Sequence, residues 1–331
     1  MKAVVFDRIG NPADVLQVRD VPMPEPGFRQ VRVRMLAAPI NPSDLLTIEG
    51  HYVKQPALPA TPGYEGVGIV EATGGGVLGW LRKGKRVAVI NERSGTWQEQ
   101  CVVPAKFVVP VPDGVPDEQA AMFFVNPVTA VAMIRRVLGV SRGSWLLQTA
   151  AGSALGQMVT RLGKLDGFRT INVVRRREQA DQLRPLGGDE WICESDESIE
   201  ERARQITGGQ GVLFVLDAVG GKTGTAAVRT LAADGRALLY GVLSGHPIEI
   251  DPRLLITGSK RVEGFWLSDW TRHQGIPSML GIFAQVKRLM SEGIIKADIA
   301  ATYSLDKIIE AARHAQSGAR GGKIVLRIAR N

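Results

Sequence analysis

Apolar positions along the chain follow two rhythms. Over residues 1–122 they alternate with polar ones or run in short stretches closed by Gly and Pro: KAVVF, LQVRDVP, QVRVRMLAAPIN, GVGIVEATG, KRVAVI and EQCVVPAKFVVPVP. Such stretches predict short strands of a compact, mostly antiparallel barrel. From about Ala120 the apolar spacing becomes helical over Asn126–Val140, with Pro127 in the first turn and Gly139 near the end. Strands are then predicted at Trp145–Gln148, Arg169–Val174, Glu190–Cys193, Val212–Asp217 and Ala237–Gly241. Helices are predicted at Gly156–Leu165, Glu178–Leu186, Glu197–Ile206 and Gly221–Ala232. Regular βα alternation is the pattern of a doubly wound parallel sheet, so the fold class is α/β. Two further helices, Pro277–Glu292 and Leu305–Ser317, and a strand Arg320–Arg327 close the chain. The expected division is a β-rich domain over 1–122, completed by 268–331, and a parallel-sheet domain over 123–267.

Within that rhythm the segment Ser144–Arg177 reads as strand, tight turn, helix and strand. A helix that starts at such a turn offers unpaired N–H groups and a positive dipole end to an anion, and small residues let a pyrophosphate approach. In the G-x-G-x-x-G register the three positions are Ala151, Ser153 and Gly156, so only the third is glycine. A tightly packed turn with no ligand would look similar. The end of the second strand says more. NAD-preferring sites place a carboxylate there, about 20 residues on, to accept from the ribose hydroxyl. This chain places Arg175, Arg176 and Arg177, with no carboxylate nearer than Glu178. Guanidinium groups suit a phosphate dianion better than a neutral diol, which predicts NADPH. A solvated charge run is the alternative.

Composition changes the picture little. A chain of 331 residues with 44% hydrophobic and 22% charged residues is ordinary for a globular protein of two domains. No apolar run is long enough to span a bilayer, and the start MKAVVFDRIG reads as a strand, so the expected location is cytoplasmic, with no membrane partner. The net charge of +8 is scattered, which suits an anionic cofactor and substrate and predicts no nucleic-acid partner. Two cysteines, Cys101 and Cys193, are too few for a disulfide framework or a four-cysteine zinc site, and both read as inert core thiols. His51, His246, His273 and His314 make no metal spacing.

The β-rich unit followed by a dinucleotide-type unit and a returning tail resembles the medium-chain dehydrogenase/reductase superfamily, a GroES-like barrel joined to a Rossmann domain. Zinc-dependent members carry a Cys three residues before an Asp and a His in a Gly-His-Glu triplet. The matching positions here hold Asn41, before Asp44, and Tyr64, in Gly63-Tyr64-Glu65. An amide and a phenol are poor zinc donors, so the resemblance points to the zinc-free branch. NPSDLLTIEGHY, GTWQEQ, VNPVTA, INVVRRR, DAVGGK, LLYG and GFWLSDW are similar to the 2-enoyl thioester reductases. That likeness implies Tyr52 as the catalytic residue and Asn41, Tyr52 and Trp266 at the substrate. It implies NADPH contacts from Asn126, Gly152, Ser153, Ala154, Leu155, Gly156, Arg175, Arg176, Arg177, Tyr240, Gly241, Val242, Leu243, Phe265, Trp266, Leu267 and Lys323. Ala154 departs from the family, which usually has glycine there. The resemblance also implies a homodimer through the sheet edge near Ser259–Trp266.

Saturating an activated C=C needs a hydride at the β-carbon and a proton at the α-carbon. A phenol of pKa ~10 is protonated at neutral pH and acidic enough to quench an enolate, which suits Tyr52; a rim tyrosine packing on a loop is the bland reading. Asn126 can equally cap its helix, Phe265 and Trp266 can equally be core, and Lys323 can equally be solvated. The expected activity is zinc-independent, NADPH-dependent reduction of an enoyl thioester or enone. An NADPH:quinone oxidoreductase is the alternative, and a non-catalytic NADPH- or RNA-binding protein the distant one.

Overall fold

The computed structural model describes residues 1–91, 93–317 and 321–329. Arg320, expected to begin the last strand, lies outside them. In chain order the strands are β1 (Lys2–Val5), β2 (Gln17–Asp20), β3 (Gln30–Pro39), β4 (Glu65–Thr73), β5 (Arg86–Ile90), β6 (Gln100–Pro104) and β7 (Val108–Pro110). There follow β8 (Trp145–Gln148), β9 (Arg169–Val174), β10 (Glu190–Cys193), β11 (Val212–Asp217), β12 (Leu231–Leu239) and β13 (Arg261–Gly264), then β14 (Ile299–Ser304) and β15 (Lys323–Arg327).

The chain divides into two compact units. The first comprises 1–126, 287–291 and 296–331. Its main sheet runs β14-β15-β3-β4-β5-β7, with β6 also on β3. The long strand β3 organises it. Residues Gln30–Arg34 pair with β6, Ala37–Pro39 pair with β15, and β4 takes the other edge through two register shifts. The bulges bend β3, so one strand serves three neighbours. Its alternation is kept: Val31, Val33 and Met35 are buried while Arg32 and Arg34 are partly exposed. The inward set packs on Val70, Val87, Val89 and Val103. A second cluster gathers Phe6, Ile40, Ile48 and Trp97 with Ile308, Ala311 and Leu326 from the end of the chain.

The second unit comprises 127–286 and 292–295. Its six strands are all parallel, in the order β10-β9-β8-β11-β12-β13. The order reverses at β8/β11, the topological switch point where such sheets take their ligands. Central strands are buried almost throughout, as β9 is from Thr170 to Val174, so they lack the strict polar–apolar alternation of a half-solvated strand.

Two expectations need correcting. The helix expected over Gly221–Ala232 stops at Arg229, and β12 begins at Leu231 rather than Ala237. Leu231 pairs with Val212, and Ala232–Gly235 bulges out before pairing resumes at Arg236. Alanines that favour a helix are here carried by a strand. The unit boundaries also differ from 122/123 and 267/268. The N–H groups of Phe124 and Val125 donate to Glu65, which ties 123–126 to the first unit. Arg135 donates to Gln285 at 3.1 Å, and Ile282 and Val286 are buried, which groups 268–286 with the second.

Candidate functional site

In the second unit the turn after β8 leads into the helix Ala154–Asp166. Ser153 caps it, its Oγ accepting from the Gly156 N–H at 3.0 Å. Gly156 has no room for a side chain: a Cβ there would lie 2.6 Å from the Ala151 carbonyl oxygen. Gly152 faces looser surroundings, with Leu183 at 3.5 Å from such an atom. Ala150 holds a positive φ of 49°, a left-handed conformation that costs a non-glycine residue roughly 1 kcal/mol or more. Among the described residues, the N–H groups of Gly152, Ala154 and Leu155 have no partner in the chain. Three free donors at the N-terminus of a 13-residue helix fit an anion such as a pyrophosphate.

Buried polar groups hold this turn in shape. Beneath it, Gln148 Nε2 donates to the Gly156 carbonyl at 2.9 Å and to Asn172 Oδ1 at 2.7 Å. Across the switch point, Thr149 Oγ1 donates to Asp217 Oδ1 at 2.6 Å and accepts the Ala218 N–H. Asp217 also accepts from the N–H groups of Val219 and Gly220, so one carboxylate fixes the loops after β8 and β11 together. Sequence reasoning passed over Thr149 and Asp217. A lone carboxylate ending the apolar run VLFVLD was the available signal.

Tyr240 follows β12, its N–H on the Asp217 carbonyl. Its hydroxyl is buried with no hydrogen-bond partner among the described residues, and burial, with the Asp217 charge second, pushes its pKa up. Gly241, Val242 and Leu243 are exposed. Arg175, Arg176 and Arg177 are all exposed beyond β9. Arg176 precedes the helix Arg177–Leu183, and Arg177 lies 3.4 Å from Asp196. Asp196 sits below the usual carboxylate range, chiefly through the Ser195 hydroxyl. Phe265 is buried against Trp270, with ring centroids 6.0 Å apart. Trp266 precedes the helix Leu267–Arg272 under the Arg272 guanidinium, and Leu267 is half-buried.

The first unit holds Asn41, Tyr52, Tyr64 and Lys323. Asn41 precedes the helix Pro42–Ile48, and its N–H donates to Asp44 Oδ2 at 2.7 Å. Asp44 Oδ1 accepts the Tyr64 N–H at 3.0 Å. Both Asp44 oxygens are therefore spent on backbone donors. Glu65 likewise accepts from Asn41 Nδ2 and from the N–H groups of Phe124 and Val125, all at 2.9 Å, which holds the start of the helix Val125–Ala132 that carries half-buried Asn126. Lys323 Nζ donates to Asn41 Oδ1. The side chains of Asn41, Asp44, Glu65 and Lys323 are all buried. Burial pushes Asp44 up to about 7, against the two N–H bonds and the Lys323 charge that hold it down. Burial raises Glu65 as well. Cys101 is a buried thiol pushed up to about 12, too weak an acid to act as a nucleophile.

Asn41, expected at the substrate, is instead a buried connector, its amide spent on Glu65 and Lys323. Lys323, expected to be solvated or on a cofactor, donates to the Asn41 amide oxygen, and its charge offsets those of Asp44 and Glu65. This donor set does not fit zinc. An amide and a phenol stand at two ligand positions, and the amide oxygen already accepts from a buried ammonium. Among the described residues no three His, Cys, Asp or Glu side chains gather around one point.

Tyr52 sits just past the helix Pro42–Ile48. The N–H groups of His51 and Tyr52 both donate to the Leu46 carbonyl, at 2.8 and 3.1 Å. Its ring lies against that of Tyr64, with centroids 5.5 Å apart and planes tilted by 44°. Tyr64 OH and Thr47 Oγ1 are 2.7 Å apart, and Thr47 Oγ1 donates to the Ser43 carbonyl at 2.8 Å. The single Thr47 hydrogen is thereby used, so the Tyr64 hydroxyl is the donor to Thr47 and its proton is committed. Tyr52 is half-buried and Tyr64 is its platform.

Comparison with known proteins agrees with both units. Residues 27–113 match the alcohol dehydrogenase GroES-like domain, and residues 154–285 match the zinc-binding dehydrogenase family. Human enoyl-(acyl-carrier-protein) reductase, mitochondrial, is 36% identical over 276 residues, covering 82% of this chain and 74% of the relative. The Arabidopsis thaliana protein of that name is 35% identical over 273 residues, covering 81% and 72%. Among solved structures, a Bacillus thuringiensis protein described as an NADPH:quinone reductase superposes with a TM-score of 0.92 at 33% identity, covering 98% of each chain. Escherichia coli quinone oxidoreductase, complexed with NADPH, superposes with a TM-score of 0.90 at 25% identity, covering 99% of this chain and all of that one. The chain belongs to the medium-chain dehydrogenase/reductase superfamily.

Proposed function

We propose that the protein is an NADPH-dependent reductase of carbon–carbon double bonds conjugated to a carbonyl, with an enoyl thioester as the substrate class. The observation that carries this reading is the Tyr52–Tyr64 ring pair, in which Tyr64, its hydroxyl tied to Thr47, braces the half-buried phenol of Tyr52. The enoyl reductase names of the curated relatives support it. Gly152, Ala154 and Leu155 would bind the pyrophosphate through their N–H groups, Arg175 and its neighbours the 2′-phosphate, and the bound nicotinamide supplies the hydride. Tyr52 delivers its phenolic proton to the α-carbon, while Tyr64 fixes the ring that carries it. A phenol of pKa ~10 keeps that proton at neutral pH until an enolate is there to take it.

The test is Tyr52→Phe assayed with crotonyl-CoA and with a benzoquinone. Turnover of the thioester is expected to fall about 10²–10⁴-fold, the usual worth of a positioned acid. Unchanged thioester turnover removes Tyr52 from the mechanism. The second reading, an NADPH:quinone reductase, draws on the names of the structural relatives. It needs no proton delivered to carbon, and predicts rapid benzoquinone reduction that Tyr52→Phe leaves alone. The cofactor has its own check: Arg175→Asp is expected to raise the KM for NADPH by about tenfold or more and to leave that for NADH within about twofold. Equal losses would unseat the 2′-phosphate assignment. The assembly we propose is a homodimer through β13, an edge strand whose outer N–H and C=O groups are open to pairing, to be read as a dimer mass by light scattering.

A further inference from the structure

The short helix Val77–Arg82 in the first unit inverts the usual burial pattern. Its only buried residue is Gly79, where a Cβ would come within 2.2 Å of Thr73 Oγ1. The helix therefore sits down on its glycine and turns its large apolar side chains outward: Val77 is 77% exposed, Trp80 63%, Leu81 61% and Leu78 45%. Beside it stand two more outward aromatics, Phe28 at 73% and Phe107 at 43%. The three pieces are neighbours. Gly75 and Gly76 at the head of the helix lie against Phe28 and Arg29, the Arg29 carbonyl accepts the Ala105 N–H, and the helix packs beside Ala105–Phe107.

Each aromatic ring on this face carries a cation: Arg29 over Phe28 at 5.3 Å, Lys83 over Trp80 at 5.6 Å and Lys106 over Phe107 at 5.1 Å. Lys85 is exposed alongside. Among the described residues no carboxylate pairs with Arg29, Lys83, Lys85 or Lys106. The apolar groups project instead of lining a groove, so they suit a soft phase that accepts knobs better than the shaped pocket of a protein partner. Rings and aliphatic tips at the depth of lipid headgroups, with ammonium and guanidinium groups beside them at phosphate level, are the composition of an interfacial membrane-binding surface.

We propose that this face, formed by Phe28, Val77, Leu78, Trp80, Leu81 and Phe107 with its ring of cations, docks the enzyme on an anionic lipid surface. The expectation of no membrane contact rested on the lack of a spanning segment, and no described helix is long and apolar enough to cross a bilayer. A surface that lies on a membrane needs no such helix.

The experiment is co-sedimentation of the full chain with vesicles of phosphatidylcholine containing about 30% phosphatidylglycerol, and with pure phosphatidylcholine vesicles. Binding to the anionic vesicles is expected to exceed that to neutral ones by about tenfold or more, and to weaken between about 50 mM and about 500 mM salt. Trp80→Ser/Leu81→Ser removes the apolar half, and Lys83→Glu/Lys106→Glu removes the charge. Each is expected to cost about tenfold or more in vesicle affinity while leaving the circular dichroism spectrum as it was. No binding to either vesicle overturns the proposal. So does binding that either double variant leaves intact, or equal binding to neutral vesicles. A wild-type oligomer that dissociates in Trp80→Ser/Leu81→Ser, with vesicle binding absent throughout, assigns the face to another copy of the chain and overturns it too.

Discussion

Each unit buries a polar cluster next to the groups that matter, and these two clusters are built from different materials. In the parallel-sheet unit, Gln148, Thr160 and Asn172 support the turn with neutral amides and a hydroxyl. In the β-rich unit, Asn41, Asp44, Glu65 and Lys323 do the corresponding job with two carboxyls and an ammonium. Neutral partners cost little to bury once paired. Charges cost far more, and hold only while every member is present. The first cluster should therefore tolerate changes of pH and lose stability piecemeal, whereas the second should fail as a unit and respond to protons.

The largest effect is expected of Lys323→Met. It strips the ammonium from a cluster that keeps the Glu65 carboxylate, and removing one partner of a buried pair costs about 3–5 kcal/mol. Urea denaturation reads that loss directly. The double variant Lys323→Met/Glu65→Gln is expected to be the more stable of the two. With the ammonium gone, the Asn41 amide can turn over and accept from the amide introduced at position 65, whose oxygen still receives the Phe124 and Val125 N–H groups. The cluster then resembles the neutral one in the other unit. A double variant no more stable than the single would show that charge is not what sets the two clusters apart.

Much of this arrangement was legible in the chain. The parallel sheet follows from runs such as Ile171–Val174, buried on both faces and apolar but for Asn172, and four of its strands lie where the pattern places them. The capping turn at Ser153 and the open end of β9 at Arg175 are local chemistry and could be read locally. The charged cluster could not. Lys323 and Asn41 are 282 positions apart, and an isolated lysine near the end of a chain reads as solvated until β15 is seen to lie along β3. Tyr64 escaped for a similar reason: its role is set by the Tyr52 ring and the Thr47 hydroxyl, which no spacing in the sequence predicts.

A smaller effect is expected from the neutral side. Asn172 accepts from Gln148 and Thr160 and donates to Thr170 Oγ1 and the Glu190 carbonyl. Asn172→Leu keeps the volume and strands those partners, at a cost of about 1–3 kcal/mol. This loss should be the same at pH 5 and pH 8, since none of the groups involved titrates there. A loss that changed with pH would show that a charged group belongs to the same network.

The finest effect belongs to Asp44. Its folded pKa of about 7 lies above the usual carboxylate value of 3.8, mainly because the side chain is buried. As pH rises through about 4 the unfolded carboxyl ionises first, so the native state holds the extra proton. Stability is then greatest below about 4, falls as pH climbs towards 7, and levels off above it. Tyr64 and Asn41, whose N–H groups need acceptors, and Lys323 and Glu65, whose charges face Asp44, set where that fall ends. Asp44→Asn removes the titrating group, so the difference in unfolding free energy between wild type and variant should change by about 1 kcal/mol from pH 6 to pH 7, in favour of the variant. The measurement is a pair of urea curves at each pH. A difference that stayed constant would place the Asp44 pKa near its ordinary value, ionised throughout and held so by Lys323 and the two N–H donors, and would move the pH sensitivity of the cluster to Glu65.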